Sequence, residues 1–366
     1  MVCEKTASRT LVPVSLGPPA PSRGKQSIGL FSGHTMSLFP FPAQQMQNYK
    51  VVFMGTPEFA VPTLKALAED GRYEIVGVVT QPDRPAGRGK KLTACPVKQY
   101  AAERGLPVYQ FERIRNPEGV EAMKALAPDV VITAAFGQIL TQALLDIPRY
   151  GTLNVHASLL PKHRGSAPIN WCILQGEKQA GVTIMKTDVG LDTGDMLRCE
   201  CTPIGELETA GELTERLSHV GAKLLAGTLP DYLEGRILPV AQNEGESSYE
   251  PMLKKEMGEI DWGRPACEIA CQVRGLNPWP CAYTDMNGGR LKLYLARAVD
   301  CADDAAPGTV VISTPKEGLF VRCGEGALEV LELQAPGGKR MTAKAYLMGK
   351  GIEVGTVLGR TAEDDA

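Results

Sequence analysis

From Tyr49 onward, short apolar runs alternate with helix-length segments, and this alternation limits the chain to few architectures. Residues 49–54 form an apolar run closed by Gly55. Thr56 is then placed to cap a helix, with Pro57 at its first position. The strand pattern returns at residues 75–80, 108–109 and 129–133, with helical stretches at 94–104 and 117–127 between them. Strands alternating with helices predict an α/β domain with a mostly parallel sheet and right-handed crossovers. Gly55 opens no G-x-G-x-x-G, so a dinucleotide site is not expected.

The remaining organisation follows from composition. With 366 residues there is room for about two domains. A balance of 43% apolar and 22% charged residues is that of a folded globular chain rather than a disordered one or a coiled coil. Residues 1–48 lack periodicity and crowd prolines and glycines between Gly17 and Gly24, so a disordered extension is expected. Its net charge of +3 permits an organelle-targeting segment, and Met36 and Met46 permit a later start. A chain starting at Met46 should fold and work like the full chain, and a large fall in melting temperature on truncation would contradict this. Residues 49–237 read as the main domain and 238–256 as a linker without periodicity. Residues 257–362 read as a second domain, a helix at 265–273 and then short strands at 291–299, 309–313, 319–322 and 327–333, the pattern of a small β-barrel.

Charge and cysteine usage narrow the function. The 39 basic and 42 acidic side chains leave a net charge of −3, so any nucleic-acid contact must be local. The ten cysteines include no C-x-x-C pair, so buried thiols in a reducing compartment are expected and no metal. The longest charge-free run, residues 26–49, contains Pro40 and Pro42 and would span a bilayer poorly.

Chemistry concentrates in two segments. Residues 151–165 (GTLNVHASLLPKHRG) pass from an apolar run into polar groups. In extended backbone, residues i and i+2 share a face, so Asn154 and His156 would project together at a strand's carboxyl end, where parallel sheets bind ligands. A plainer role in satisfying loop backbone fits the same residues. Residues 188–195 (DVGLDTGD) set three carboxylates among two glycines. An acidic turn or a calcium loop is the alternative there, although the EF-hand spacing is absent. A carboxylate beside an imidazole would orient the ring. An Asn, a His and a carboxylate suit acyl transfer to an amine without a covalent intermediate. Each donor to the developing oxyanion is worth roughly 2.7–4 kcal/mol. There is no G-x-S-x-G, and Cys172 has no basic residue within five positions, so nucleophilic catalysis is the weaker option.

The segments NVHASLLPKHRG (154–165), DVGLDTGDML (188–197), GTPEFA (55–60) and QPDRPAGRGKKL (81–92) resemble those of the folate-dependent formyltransferases, in the branch whose acceptor is methionine carried on initiator tRNA. The likeness runs from about residue 50 to about 360. It implies a Rossmann-like catalytic domain followed by a C-terminal barrel of oligonucleotide-binding type. Asn154, His156 and Asp192 match the family's catalytic positions. Ser158, Leu159, Leu160 and Pro161 match the segment that contacts the folate, with 10-formyltetrahydrofolate as formyl donor and no metal. The implied partner is initiator methionyl-tRNA, the implied role is in translation initiation, and the expected protein is a cytoplasmic monomer, or an organelle-matrix one if residues 1–48 are a targeting segment. Formylation of a sugar-nucleotide amine, or a non-catalytic folate- or RNA-binding module, remains the alternative.

Between Gln81 and Lys98, Arg84, Arg88, Lys90, Lys91 and Lys98 face one acid, Asp83, a net +4. Gly87 and Gly89 flank Arg88, so the loop could close on a phosphate backbone. The resemblance implies that it reads the tRNA acceptor end, through Arg84, Arg88, Lys90 and Lys91. Residues 257–366 carry 12 basic and 15 acidic side chains, so only one face of that domain could bind nucleic acid. Trp279 is expected to pack between the domains, and His163 to tolerate substitution.

Overall fold

The computed structural model describes residues 48–86 and 91–359. The expectations for residues 1–47, and for Arg88 and Lys90, lie outside the described residues. The chain runs β1 (Tyr49–Gly55), α1 (Val61–Ala68), β2 (Tyr73–Thr80), β3 (Arg84–Ala86), β4 (Lys91–Thr93), α2 (Pro96–Glu103) and β5 (Val108–Gln110). Next come α3 (Pro117–Leu126), β6 (Val130–Ala134), α4 (Gln142–Leu145), β7 (Thr152–His156), β8 (Arg164–Gly165), α5 (Pro168–Leu174) and β9 (Gln179–Lys186). Then β10 (Met196–Pro203) leads into the long α6 (Ala210–Leu233).

Seven of these strands form one sheet in the order β10-β9-β7-β6-β1-β2-β5. The five from β7 to β5 are parallel, and β9 and β10 add an antiparallel edge. Every β1 residue from Val51 to Gly55 is buried, because helices cover both faces. Successive side chains go to opposite sides: Val51 and Phe53 join Leu153, Val155 and the α6 residues Leu213 and Leu217, whereas Val52 and Met54 join Val131 and Met123.

Two local preferences give way to tertiary structure. Thr56 caps no helix, because a short 3₁₀ turn (Glu58–Ala60) precedes α1. Its hydroxyl instead donates to the Phe136 carbonyl, tying β1 to the end of β6. The α6 helix also runs through Pro230, although a proline's missing N–H and its ring disfavour a helix interior. Glu234 N–H donates to the Pro230 carbonyl, and burial of Leu233 holds the added turn. At its other end Thr209 forms a capping box with Glu212.

Beyond α6, β11 (Tyr249–Glu250) pairs in parallel with β8. The C-terminal part is α7 (Ala266–Gly275), β12 (Ala282–Met286), β13 (Gly289–Val299), β14 (Val310–Thr314), β15 (Gly318–Arg322), β16 (Ala327–Gln334), β17 (Met341–Thr342) and α8 (Ala343–Gly349). Its strands are antiparallel in the order β12-β13-β16-β15-β14, with β17 on β16, consistent with a small barrel. They surround a separate core that includes Ile269, Leu293, Val321 and Leu328. The α5 and α7 helices join the two cores: Asn170 Nδ2 donates to the Gly275 carbonyl at 2.7 Å, and a Cβ at Gly275 would meet Leu174 at 2.8 Å. Trp279 takes no part in that contact. It is 52% exposed, because the turn before it is held by Asn277, whose Nδ2 donates to the Tyr294 carbonyl.

Candidate active site

The β7 strand ends the parallel part of the sheet, and its register puts Asn154 and His156 on one face at the carboxyl edge. Thr133 on β6 donates its hydroxyl to Asn154 Oδ1 at 3.1 Å, which leaves the amide Nδ2 to donate elsewhere. His156 is 6% exposed, and its Nε2 donates to the His163 carbonyl at 3.1 Å. A carbonyl only accepts, so Nε2 carries the hydrogen. On the other side of the ring, Nδ1 lies 3.6 Å from Asp192 Oδ1.

Asp192 reaches the imidazole from a loop that is held on three sides. Its Oδ2 accepts from Gly165 N–H at 2.9 Å, and its own backbone is left-handed, at φ +56°. A Cβ at Gly194 would lie 1.8 Å from the Lys186 carbonyl oxygen, so only glycine lets the loop lie against the end of β9. Gln242 closes the third side. Its Nε2 donates to the Asp192 carbonyl at 2.8 Å and the Gly194 carbonyl at 2.7 Å.

Gln242 belongs to the segment expected to be a plain linker, and no periodicity marks it. Its Oε1 accepts twice from the buried Arg164, at 3.0 and 2.9 Å, and Arg164 forms a two-pronged pair with Glu244. The segment is therefore fastened across the site: Val240 bridges Met196, and β11 pairs with β8. Arg164 lies inside the segment 154–165, but its role depends on partners about 80 residues away, which no local pattern reveals.

His163 is not the tolerant residue that was expected. It is 2% exposed, its Nδ1 donates to Glu250 Oε1 at 2.9 Å, and its carbonyl takes the His156 hydrogen. The expectation failed because Glu250 arrives from β11, far along the chain.

Ser158 to Pro161 form the loop leaving β7. Ser158 is fully buried, donating its hydroxyl to the Lys162 carbonyl while its own carbonyl accepts from Thr183. Its side chain is thus committed to holding the loop. Leu159 packs where a Cβ at Gly181 would come within 2.4 Å. In the basic segment, Arg84 on β3 pairs with Glu112 at 2.8 Å, and Lys98 pairs with Asp83 at 2.7 Å. That contact with Lys98, with a further one from Gln110, holds the Asp83 carboxyl below its usual range. Two of the five cations are thereby internally matched. The Lys91 backbone lies in β4 opposite Ala86. In the C-terminal part, Arg340 pairs with Glu332 at 2.5 Å, and Arg274 Nη1 donates to the Glu208 backbone carbonyl.

Two family models match the chain: formyl transferase over residues 49–229, and formyl transferase, C-terminal domain, over 252–351. Together with the sheet and its carboxyl-edge site, they define a formyl-transferring enzyme with a second domain behind the catalytic one. The chain is 50% identical over 313 residues to the methionyl-tRNA formyltransferase of Trichlorobacter lovleyi, covering 86% of this chain and 98% of the relative. It is 50% identical over 311 residues to that of Bacillus subtilis, covering 85% and 98%. The chain belongs to the methionyl-tRNA formyltransferase family. Solved structures share the fold at lower identity. WlaRD, a sugar 3N-formyltransferase, superposes with a TM-score of 0.56 at 17% identity, over 79% of this chain and 97% of that one. HypX from Aquifex aeolicus, in complex with tetrahydrofolic acid, gives 0.55 at 17% identity, over 83% and 47%. Among the described residues no helix is long and apolar enough to cross a membrane.

Proposed function

We propose that the chain transfers the formyl group of 10-formyltetrahydrofolate to the amino group of methionine on initiator tRNA, supporting translation initiation. The observation that carries the chemistry is the convergence of Asn154, His156 and Asp192 at one sheet edge, with Nδ1 of His156 3.6 Å from Asp192 Oδ1. The amine attacks the formyl carbon, the carbonyl oxygen takes the negative charge, and collapse breaks the bond to N10 of the folate. The Asn154 amide donates to that oxyanion, and His156 Nδ1 joins it on taking up the amine proton, while the Nε2 hydrogen stays on the His163 carbonyl. The amine proton leaves toward the His156–Asp192 pair, and N10 takes up a proton as it departs. Ser158 to Pro161 would border the folate. The same reading puts the enzyme in the cytoplasm.

Identity near 50% over almost the whole length of relatives named for methionyl-tRNA supports this acceptor over a sugar-nucleotide amine. An intact triad supports an enzyme over a non-catalytic binding module. Formylation assays with charged initiator tRNA, free methionine and an amino-sugar nucleotide test it: turnover is expected with the first, and preference for the sugar would overturn the reading.

Acceptor recognition is assigned to the basic loop, through Arg84, Arg88, Lys90 and Lys91. Arg88→Ala is expected to raise KM for tRNA while leaving folate binding unchanged, and to flatten the salt dependence of tRNA affinity by roughly one unit of log-log slope. Recovery with Arg88→Lys would mean that charge suffices, and failure of both variants that a forked contact is made. Unchanged tRNA kinetics in Arg88→Ala would remove the loop from recognition.

A further inference from the structure

Behind the catalytic histidine lies a second cluster that formyl transfer does not use. His163 Nε2, Cys172 Sγ and a Glu177 carboxylate oxygen all lie within 4.8 Å of one another. His163 and Cys172 are each 2% exposed, and the Glu177 side chain is 27% exposed, which leaves a way in from solvent. We propose that these three side chains form a binding site for a borderline-soft divalent cation, Zn²⁺ foremost.

Three features point to a cation rather than to a buried ion pair. The first is the orientation of the ring. His163 Nδ1 is 2.9 Å from Glu250 Oε1, and a carboxylate there fixes the hydrogen on Nδ1 and turns the Nε2 lone pair toward the cluster. Glu250 is itself braced by Gln175 Nε2 at 3.0 Å. The second is an unmade hydrogen bond. His163 Nε2 is 3.2 Å from Glu177 Oε1, yet it is buried without a hydrogen-bond partner, as expected of two atoms aimed at a shared third atom. The third is dimension: ligand atoms about 2.0–2.1 Å from one tetrahedral ion stand about 3.3 Å apart, close to that 3.2 Å.

The donor set of imidazole, thiolate and carboxylate is one that Zn²⁺ and Co²⁺ accept, with a fourth position left for water. Burial pushes the Cys172 thiol up to about 12, so the site without a cation holds a neutral thiol. On binding, the S–H bond breaks, the proton passes to solvent and the Sγ–metal bond forms, so uptake releases one proton and tightens as pH rises. Lys162, 3.7 Å from Glu177 Oε1, competes for the carboxylate. The ligands come from a loop, from α5 and from the turn after it, which is why no zinc-type spacing appears in the sequence. Because the His163 carbonyl holds His156, a bound cation would also stiffen the backbone behind the catalytic ring.

Titration of the full chain, freed of metal by chelator, with Co²⁺ tests the site. One equivalent is expected to bind with intense tetrahedral visible bands and a thiolate-to-cobalt charge-transfer band, and equimolar Zn²⁺ is expected to displace it. Cys172→Ala should abolish the charge-transfer band. Glu250→Gln, which can still accept the Nδ1 hydrogen, should weaken affinity by about 10–100-fold while keeping the band. Circular dichroism of each variant confirms that it is folded. Absence of a thiolate band in the natural chain overturns the proposal. So does a band that survives Cys172→Ala, since it would arise from the exposed Cys199, Cys201 or Cys267.

Discussion

His156→Ala is expected to lower turnover in formyl transfer by ~10²-fold or more, because in the proposed mechanism one side chain supplies both an oxyanion donor and the partner of Asp192. The ring is almost wholly enclosed, so the variant also loses packing, and turnover must be read on protein shown to be folded and to bind folate. His156→Gln separates the two effects. A glutamine amide can still donate to the His163 carbonyl and brace the loop, but it cannot carry a proton. Stability restored without turnover is the expected result. Turnover near that of the natural chain in either variant would remove His156 from the chemistry.

The placing of Asn154 and His156 on one face of β7 was legible in the sequence for a simple reason. Asn154 and His156 are two apart on a strand, and period 2 is local information. The same holds for β1, where neighbours pass alternately to two cores, and for β13, β15 and β16, whose apolar runs are bounded by turn residues. Elements set by distant partners were not legible. The strands β10 and β12 carry no clear local pattern. The first is an edge strand with mostly half-exposed or exposed residues, including Cys199 and Cys201, and the second is a five-residue strand with only Ala282 and Thr284 buried. Thr56 was misread because its local capping chemistry lost to the Phe136 carbonyl. His163 was misread because burial by Glu250 cannot be seen from the residues beside it.

The linker residue Gln242 supplies the sharpest test of how the site is held. One amide faces two ways: its oxygen takes two hydrogen bonds from buried Arg164, and its nitrogen gives two, to the Asp192 and Gly194 carbonyls. Gln242→Leu removes all four, leaving the Asp192 and Gly194 carbonyls without this partner and Arg164 with Glu244 alone. At about 1–3 kcal/mol for each of the two carbonyls, a loss of about 2–6 kcal/mol is expected by denaturant unfolding. Gln242→Glu divides the two roles. Its carboxylate keeps, and strengthens, the contact with Arg164, but it has no hydrogen to give and faces two carbonyl oxygens. Stability should therefore recover only in part, through Arg164, while the loop carrying Asp192 comes loose from the linker. Because Asp192 Oδ1 stands at 3.6 Å from His156, a small shift breaks the pair, and kcat in Gln242→Glu is expected to fall about tenfold or more, equivalent to only about 1.4 kcal/mol of transition-state stabilisation. The KM for tRNA should stay unchanged, since the proposed tRNA contacts come from other residues. A Gln242→Glu enzyme with the natural kcat would mean that Gly165 and the backbone of residues 188–195 position Asp192 unaided, and that the linker only ties the two cores together.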